Sequence, residues 1–361
     1  MKEPTSKTID RMIQDYKIDT DSTKLVRTRK AKLGKNLRIF KVSRVEPPTF
    51  IVDTPMAREI ACYPHLVGES LEQRSRKAAI EALPAILELS NVERKGGDSE
   101  IVFEQILRAA PGYKLQEIAP KILGSSYRTV YLRPRYTHKS YRDHDGVVQR
   151  EIEIVHQEFS EFPKGKKIVL VMQDTVASGR SGEISIDATL KQCQQSGCKI
   201  EKWILYGFIS EYGLGILHRI AKQNDILMVA FAMGNLTALS SNNYDMPLYG
   251  VDEAHWQRTH AIRKIGSVID RTSLKEYVPC FVPGSDQPGD WSARQRTLFN
   301  GISNEPGDIV GHLNNSTRLI KSLCEIGGFE PWQQHIAEKE LDHLQKALQS
   351  ETSKQGVQSN L

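Results

Sequence analysis

The sequence predicts an α/β fold, a mostly parallel sheet flanked by helices, with helical extensions at both ends. Three observations predict it. Apolar runs and helical patterns alternate through the middle of the chain: Ile168 to Met172, a helix from about Glu183 to Gln195 that stops at Gly197, then Ile200 to Ile209, Leu214 to Lys222, and Asp225 to Met233. Such alternation requires crossovers, which lay helices over parallel strands. The run Ile168-Val169-Leu170-Val171-Met172 carries no polar residue, so it reads as a strand covered on both faces. The chain is 39% hydrophobic and 26% charged, within the range of globular proteins, and no apolar run approaches the length of a membrane span.

Taken in order, residues 1–36 form a basic N-terminal extension. Residues 1–44 hold 13 Lys/Arg against five acids, so a net charge of +5 becomes −3 over the remainder. A basic arm is a footprint for nucleic acid. A solvated extension or an arm used in oligomer formation is the favoured reading. Leu37 to Val42 and Thr49 to Val52 read as strands, and residues 68–90 as a helix interrupted at Pro84. A polar turn spans residues 93–98. Ile101 to Arg108 is strand-like and runs into the tight Ala109-Ala110-Pro111-Gly112 loop; residues 113–124 form a short helix. Thr129 to Arg133 is another strand, followed by the basic cluster Arg133, Arg135, His138, Lys139 and Arg142. Residues 134–150 read as an exposed loop, either a lid that closes over a polyanion or a solvated charged hairpin. Residues 234–279 read as an irregular polar insertion, and residues 306–361 as a C-terminal helical segment with a frayed end. Five cysteines, without CxxC pairs or His partners, read as reduced thiols; with no signal-peptide pattern, a cytoplasmic protein is expected.

The chemistry concentrates after the strand at 168–172. Gln173-Asp174 closes it, and the small residues Thr175, Val176, Ala177, Ser178, Gly179, Arg180 and Ser181 lead into a helix. Loop N–H groups and a helix N-terminus converge there, which makes an anion cradle. The Walker loop and the dinucleotide fingerprint are both excluded. A cradle beside an acid and an amide suits a ribose 5-phosphate, with Asp174 and Gln173 on the ribose hydroxyls. An ordinary β-turn-α connection is the competing reading. Arg108, at a strand end beside a small-residue loop, is a second place to hold a diphosphate. Phe281 to Trp291, dense in Pro and Gly, fixes backbone groups that suit the edge of a planar base, or simply turns the chain.

These pieces resemble the uracil phosphoribosyltransferases, within the type I phosphoribosyltransferases. Ile106-Leu107-Arg108-Ala109-Ala110-Pro111-Gly112 stands where that family has Ile-Leu-Arg-Ala-Gly-x-Gly; Leu132-Arg133 looks like its Tyr-Arg; Gln173 through Ser181 matches its Asp-Pro-Met-Leu-Ala-Thr-Gly-Gly-Ser. Phe281 through Trp291 keeps the register of Ile-Val-Pro-Gly-Leu-Gly-Asp-x-Gly-Asp-Arg. The likeness spans roughly residues 55–300, inside a phosphoribosyltransferase-like domain at 37–305. It departs at Gln173 and Gln287, which replace acids, and at Ser178 and Arg180.

The resemblance implies a pentosyltransferase that joins uracil or a related base to the ribose 5-phosphate of PRPP, with release of diphosphate, as in pyrimidine salvage. It implies Arg108, Arg133 and Asp174 as catalytic residues. PRPP would be held by these together with Gln173, Thr175 through Ser181 and Gln287. The base would be held by Phe281, Asp286, Gln287 and Pro288. Magnesium would arrive bound through PRPP, with no metal held by the chain itself. The partners would be PRPP, a nucleobase and further copies of the chain in a homo-oligomer, with no membrane; nucleic acid at residues 1–44 is not favoured. The lost acids favour a second reading, a non-catalytic PRPP- or nucleotide-sensing regulator whose basic arm touches nucleic acid or a partner.

Overall fold

A computed structural model describes residues 4–28, 36–92, 99–124, 127–136 and 152–358, with side chains to Lys354. The polar turn at 93–98 and most of the expected lid, including His138, Lys139 and Arg142, lie outside the described residues. The elements run α1 (Ser6–Tyr16), β1 (Thr23–Leu25), β2 (Arg38–Val42), β3 (Thr49–Asp53), α2 (Pro55–Cys62), α3 (Gly68–Leu89) and β4 (Ser99–Ile106). After a 3-10 turn at Ala110–Tyr113 come α4 (Leu115–Leu123), β5 (Tyr127–Tyr136), β6 (Ile152–Glu158), β7 (Lys167–Gln173), α5 (Arg180–Ser196), β8 (Lys199–Ser210), α6 (Glu211–Gln223) and β9 (Leu227–Thr237). The chain closes with β10 (Tyr249–Val251), α7 (Glu253–Thr259), β11 (Lys264–Gly266), α8 (Arg271–Tyr277), β12 (Thr297–Phe299), β13 (Asn304–Pro306), α9 (Ile309–Ile326) and α10 (Pro331–Gln358).

Among the described residues, nine strands form one sheet in the order β1-β2-β3-β9-β8-β7-β4-β5-β6. Its centre, from β3 to β5, is parallel; β1 and β2 at one edge and β6 at the other are antiparallel. The protein is therefore an α/β fold with a mostly parallel sheet flanked by helices. The two faces follow the period of two. Ile168, Leu170 and Met172 turn to the side covered by α5 and α6, through Ile186, Leu214 and Leu217. Val169 and Val171 turn to the side covered by α2, α3 and α4, through Ile60, Leu83 and Ile118.

Local signals set the helix ends. Thr54 Oγ1 accepts from the Ala57 N–H at 3.0 Å, and proline opens α2. Gly197, at φ +69°, closes α5.

The helix expected in the N-terminal extension is α1, and it is docked rather than solvated: Ile9, Met12 and Tyr16 are buried in the main core. Several cations of residues 1–44 are already paired: Arg11 with Glu330, Arg38 with Asp53 and Glu276, and Arg44 with Asp19 and Glu211. Residues 234–279 are folded, not irregular. They carry the end of β9, the β10–β11 ribbon, α7 and α8, and bury Met246, Leu248, Tyr249, Leu274 and Tyr277 in the same core. The polar residues that disguised this segment satisfy backbone groups internally: Asp252 caps α7 and Asp270 caps α8.

One buried cation joins the late loops to the sheet's helices. Arg294 has no exposed surface. Its guanidinium donates to Ile60 O at 3.3 Å in the last turn of α2, to Tyr63 O at 3.0 Å and Leu66 O at 3.1 Å just after it, and to Pro288 O at 2.9 Å on the opposite loop. Arg294→Met is expected to leave those carbonyls buried and unpaired, lowering the free energy of unfolding by about 3 kcal/mol or more. Urea unfolding followed by circular dichroism measures this; a loss under about 1 kcal/mol would mean that water replaces the guanidinium.

Candidate functional site

The segment from Asp174 to Ser181 continues β7 along the end of β8. Asp174 N–H donates to Tyr206 O at 3.0 Å, Val176 N–H to Phe208 O at 2.8 Å, and Ser210 N–H to Val176 O at 2.8 Å. Gly207 allows it: the pairing of β8 slips here, and a Cβ would lie 1.9 Å from Asp174 O. Ser210 Oγ donates to Ala177 O at 2.5 Å while accepting from Gly213 N–H at 2.9 Å, so one hydroxyl ties the loop and caps α6. Gly213 carries no Cβ where Ala177 O would be 2.4 Å away. Gly179, at φ +81°, then turns the chain into α5 at Arg180. The loop is thus pinned on its β8 side, and Asp174, Thr175, Ala177 and Ser181 line a cleft on the other.

That cleft, about 210 Å³, lies at the carboxyl ends of β4 and β7. Leu107 and Arg108 after β4, Pro134 of β5, and Pro288 through Ser292 complete it, with Tyr244 contributed by the 234–279 segment. The Leu107–Arg108 peptide is cis. Trp291 stacks on Tyr113, ring centroids 4.5 Å apart, and Tyr113 Oη meets Thr175 Oγ1 at 2.5 Å. Gly112 permits this packing, since a Cβ would lie 2.7 Å from the Trp291 indole nitrogen.

The structure brings Arg108, the Asp174–Ser181 loop and Pro288 to one cleft. Ser178 is half-buried and Arg180 exposed, and neither lines it. Arg133, also outside the lining, donates to Asn300 O at 3.1 Å. Burial, then repulsion from Arg108, holds its guanidinium below the usual value. Arg108 itself pairs with Glu305 Oε1 at 2.5 Å. Hydrogen bonds from Asn300 and Arg108 hold Glu305 low. The β12–β13 hairpin therefore occupies both arginines through its own acceptors.

Gln173 and Gln287 do not face the cleft. Gln173 is fully buried; its carbonyl accepts from Leu115 N–H at 3.0 Å and its amide donates to Gln105 at 2.9 Å. Gln287 exchanges amide hydrogen bonds with Asn235 at 2.6 and 3.2 Å and donates to Met246 O at 3.0 Å. Both positions need a group that donates and accepts at once, which a carboxylate does not. Phe281 packs in the core against Tyr249, and Asp286 accepts from Met246 N–H at 2.8 Å. Of the residues expected to meet a base, Pro288 alone lines the cleft. Sequence reasoning missed Asp290, Trp291 and Tyr244; the Gly289-Asp290 pair at the end of the matched motif was the available signal for the first.

Burial works against ionisation of the acids in and behind the cleft. Burial, followed by nearby Glu104, pushes Asp174 up to about 8. Burial pushes Glu104 up to about 7 despite the Thr189 hydroxyl donated to it at 2.8 Å. Burial also raises Asp290, against the pull of the Ala293 N–H and of Arg108. Asp174 and Asp290 both line the cleft, and once ionised they are donors of the kind that suits a hard cation carried by a polyphosphate, which takes one or two carboxylates alongside phosphate oxygens.

No protein-family model and no curated protein matches the chain. Among solved structures it is similar to adenine phosphoribosyltransferase from Trypanosoma brucei in complex with AMP, pyrophosphate and ribose-5-phosphate, at 12% identity and TM-score 0.32, covering 54% of this chain and 87% of that one. It is also similar to a hypoxanthine phosphoribosyltransferase from Staphylococcus aureus, at 11% identity and TM-score 0.26, covering 41% and 69%. A third is orotate phosphoribosyltransferase from Francisella tularensis, at 10% identity and TM-score 0.27, covering 57% and 74%. These superpositions are partial, and the chemistry follows from the cleft's own residues.

Glu104 gives a direct test of the buried acids. Its folded value of about 7 exceeds its ordinary 4.5, so the folded state binds the proton more tightly. Its contribution to stability is complete below 4.5 and drains away as pH rises through 7. Glu104→Gln keeps the acceptor for Thr189 and cannot ionise. It is expected to stabilise the protein by about 1–3 kcal/mol at pH 8, with a smaller gain at pH 5. Equal gains at both values in chemical unfolding would reject the assignment.

Proposed function

We propose that the cleft binds PRPP and transfers its ribose 5-phosphate to a nucleobase, uracil or a related base, with release of diphosphate. The observation that carries this reading is the convergence of three separate chain segments on one cleft: Arg108, the Asp174–Ser181 loop at the head of α5, and Pro288 to Trp291. A ring nitrogen of the base attacks C1 of the ribose and gives up its proton to solvent, the bond from C1 to the diphosphate oxygen breaks, and the negative charge leaves on the diphosphate. Loop amides and the first turn of α5 hold the 5-phosphate. Asp174 accepts from the ribose hydroxyls. Arg108, released from Glu305, meets the developing charge on the diphosphate, with Arg133 joining once Asn300 moves aside. Asp174 and Asp290 are the residues to hold magnesium carried by PRPP, which supplies further neutralisation of the leaving group.

Calorimetric titration with PRPP and magnesium tests the site. Arg108→Ala is expected to weaken binding by about tenfold or more through the diphosphate, the loss of one charge-assisted contact. Absence of millimolar binding by the unaltered protein sinks the reading. Because the hydroxyls are accepted by the ionised Asp174, affinity should rise as pH climbs through about 8 and level off only above that value, a rise that Asp174→Asn abolishes.

The occupied arginines favour a second reading, a regulator that senses PRPP without turning it over. Glu305→Gln removes the competing charge and should tighten PRPP binding several-fold in either case. Diphosphate release with a panel of bases separates the two: release supports transfer, and tight PRPP binding without release supports sensing.

A further inference from the structure

Away from the cleft, the loop after α2 and the middle of α10 bring His65, Glu340 and His343 together, one ligand atom from each lying within 4.8 Å of the others. Glu340 and His343 are three residues apart on one helix, so their side chains leave it on the same side. The Glu340 side chain is 4% exposed, against 22% for His65 and 33% for His343. A carboxylate this deep needs compensation. Its Oε1 accepts from the His65 backbone N–H at 3.2 Å and from ring Nδ1 at 2.7 Å. Its Oε2 faces His343 Nδ1 at 3.5 Å without hydrogen-bond geometry, and that buried nitrogen has no hydrogen-bond partner among the described residues. The two imidazoles meet edge to face, 4.7 Å between centroids. As a hydrogen-bonded cluster the group is incomplete.

We propose that His65, Glu340 and His343 bind zinc. Two imidazoles and a carboxylate are a recurrent zinc donor set, with bonds of about 2.0–2.2 Å. Bonds of that length put tetrahedral ligand atoms roughly 3.3–3.6 Å apart, the separation already present between Glu340 and His343. Closing the site on His65 requires loss of the proton it shares with Glu340. Magnesium and calcium prefer all-oxygen shells and are disfavoured by the imidazoles. Partial exposure of both rings places the cluster near the surface. The backbone N–H of His65 orients the carboxylate from the outer shell. The ion fastens α10 to the 63–67 segment, whose Tyr63 and Leu66 carbonyls Arg294 holds against the cleft wall. The site owes nothing to the reading of the cleft.

The test uses the full chain, stripped with chelator and titrated with zinc, and with cobalt(II) as a visible probe. One metal per chain after gel filtration is expected, with cobalt absorption typical of four or five ligands and a rise in melting temperature. His65→Ala and His343→Ala should each weaken binding by more than about 100-fold, beyond the usual effect of an outer-shell change. Glu340→Gln, which preserves shape and an acceptor, should weaken it too, and circular dichroism confirms that each variant is folded. His335→Ala, an exposed histidine on the same helix, should change nothing. Affinity should fall as pH drops from 8 to 6, because protons compete for the ligands. No stoichiometric binding by the unaltered chain, or binding retained in both histidine variants, overturns the proposal.

Discussion

The cleft depends on one buried guanidinium. Arg294 has no exposed surface, yet its donors are spread over carbonyls from two distant parts of the chain. Ile60, Tyr63 and Leu66 lie at and just after the C-terminal end of α2, where unpaired carbonyls and the helix dipole give a negative potential. Pro288 belongs to the opposite loop. Arginine suits this task because its planar fork has five fixed donors and does not lose its proton. Since α2 packs on the sheet, the wall formed by Pro288 to Ser292 takes its position from the sheet as well. The same α2 loop carries His65, so the cleft wall and the histidine cluster share one support.

Within the cleft, the chain satisfies its own charges. Arg108 is neutralised by Glu305 and Arg133 is held by a carbonyl, while burial keeps Asp174 protonated near neutral pH. An anionic ligand must displace a protein carboxylate before it gains an arginine, so its net gain is a difference between two similar ion pairs. A partly exposed ion pair contributes little by itself, about 0–1 kcal/mol. A diphosphate with more charge and more acceptor oxygens therefore has the advantage over a single carboxylate. The balance lies with a short hairpin, β12–β13, rather than with the core.

Much of this was legible in the chain. The strand at 168–172, its turn and the following helix are local patterns: an apolar run, small residues, then a helical period closed by glycine. Placing Arg108 and Asp174 on one rim followed from topology, since parallel strands present their carboxyl ends together. The glutamines were not legible. Read as substitutions for cleft acids, Gln173 and Gln287 instead cross-link buried strands and loops, and no local pattern states which way a side chain points at a strand end. The 234–279 segment misled for a related reason: its Asp, Asn and Ser residues serve as caps and turns, and polar composition does not distinguish an internal hydrogen bond from a solvated one.

The sequence by itself determined the central alternation of strands and helices, the parallel centre of the sheet and the loop that heads α5. Periodicity and turn chemistry act over a few residues, so they survive without a partner. Tertiary structure alone decided that Glu305 meets Arg108 across 197 residues, that Arg294 clasps carbonyls 228 to 234 residues away, and that His65 reaches Glu340. Such pairings depend on how separately stable pieces pack together, and the free energy that selects them comes from burial shared by the whole fold.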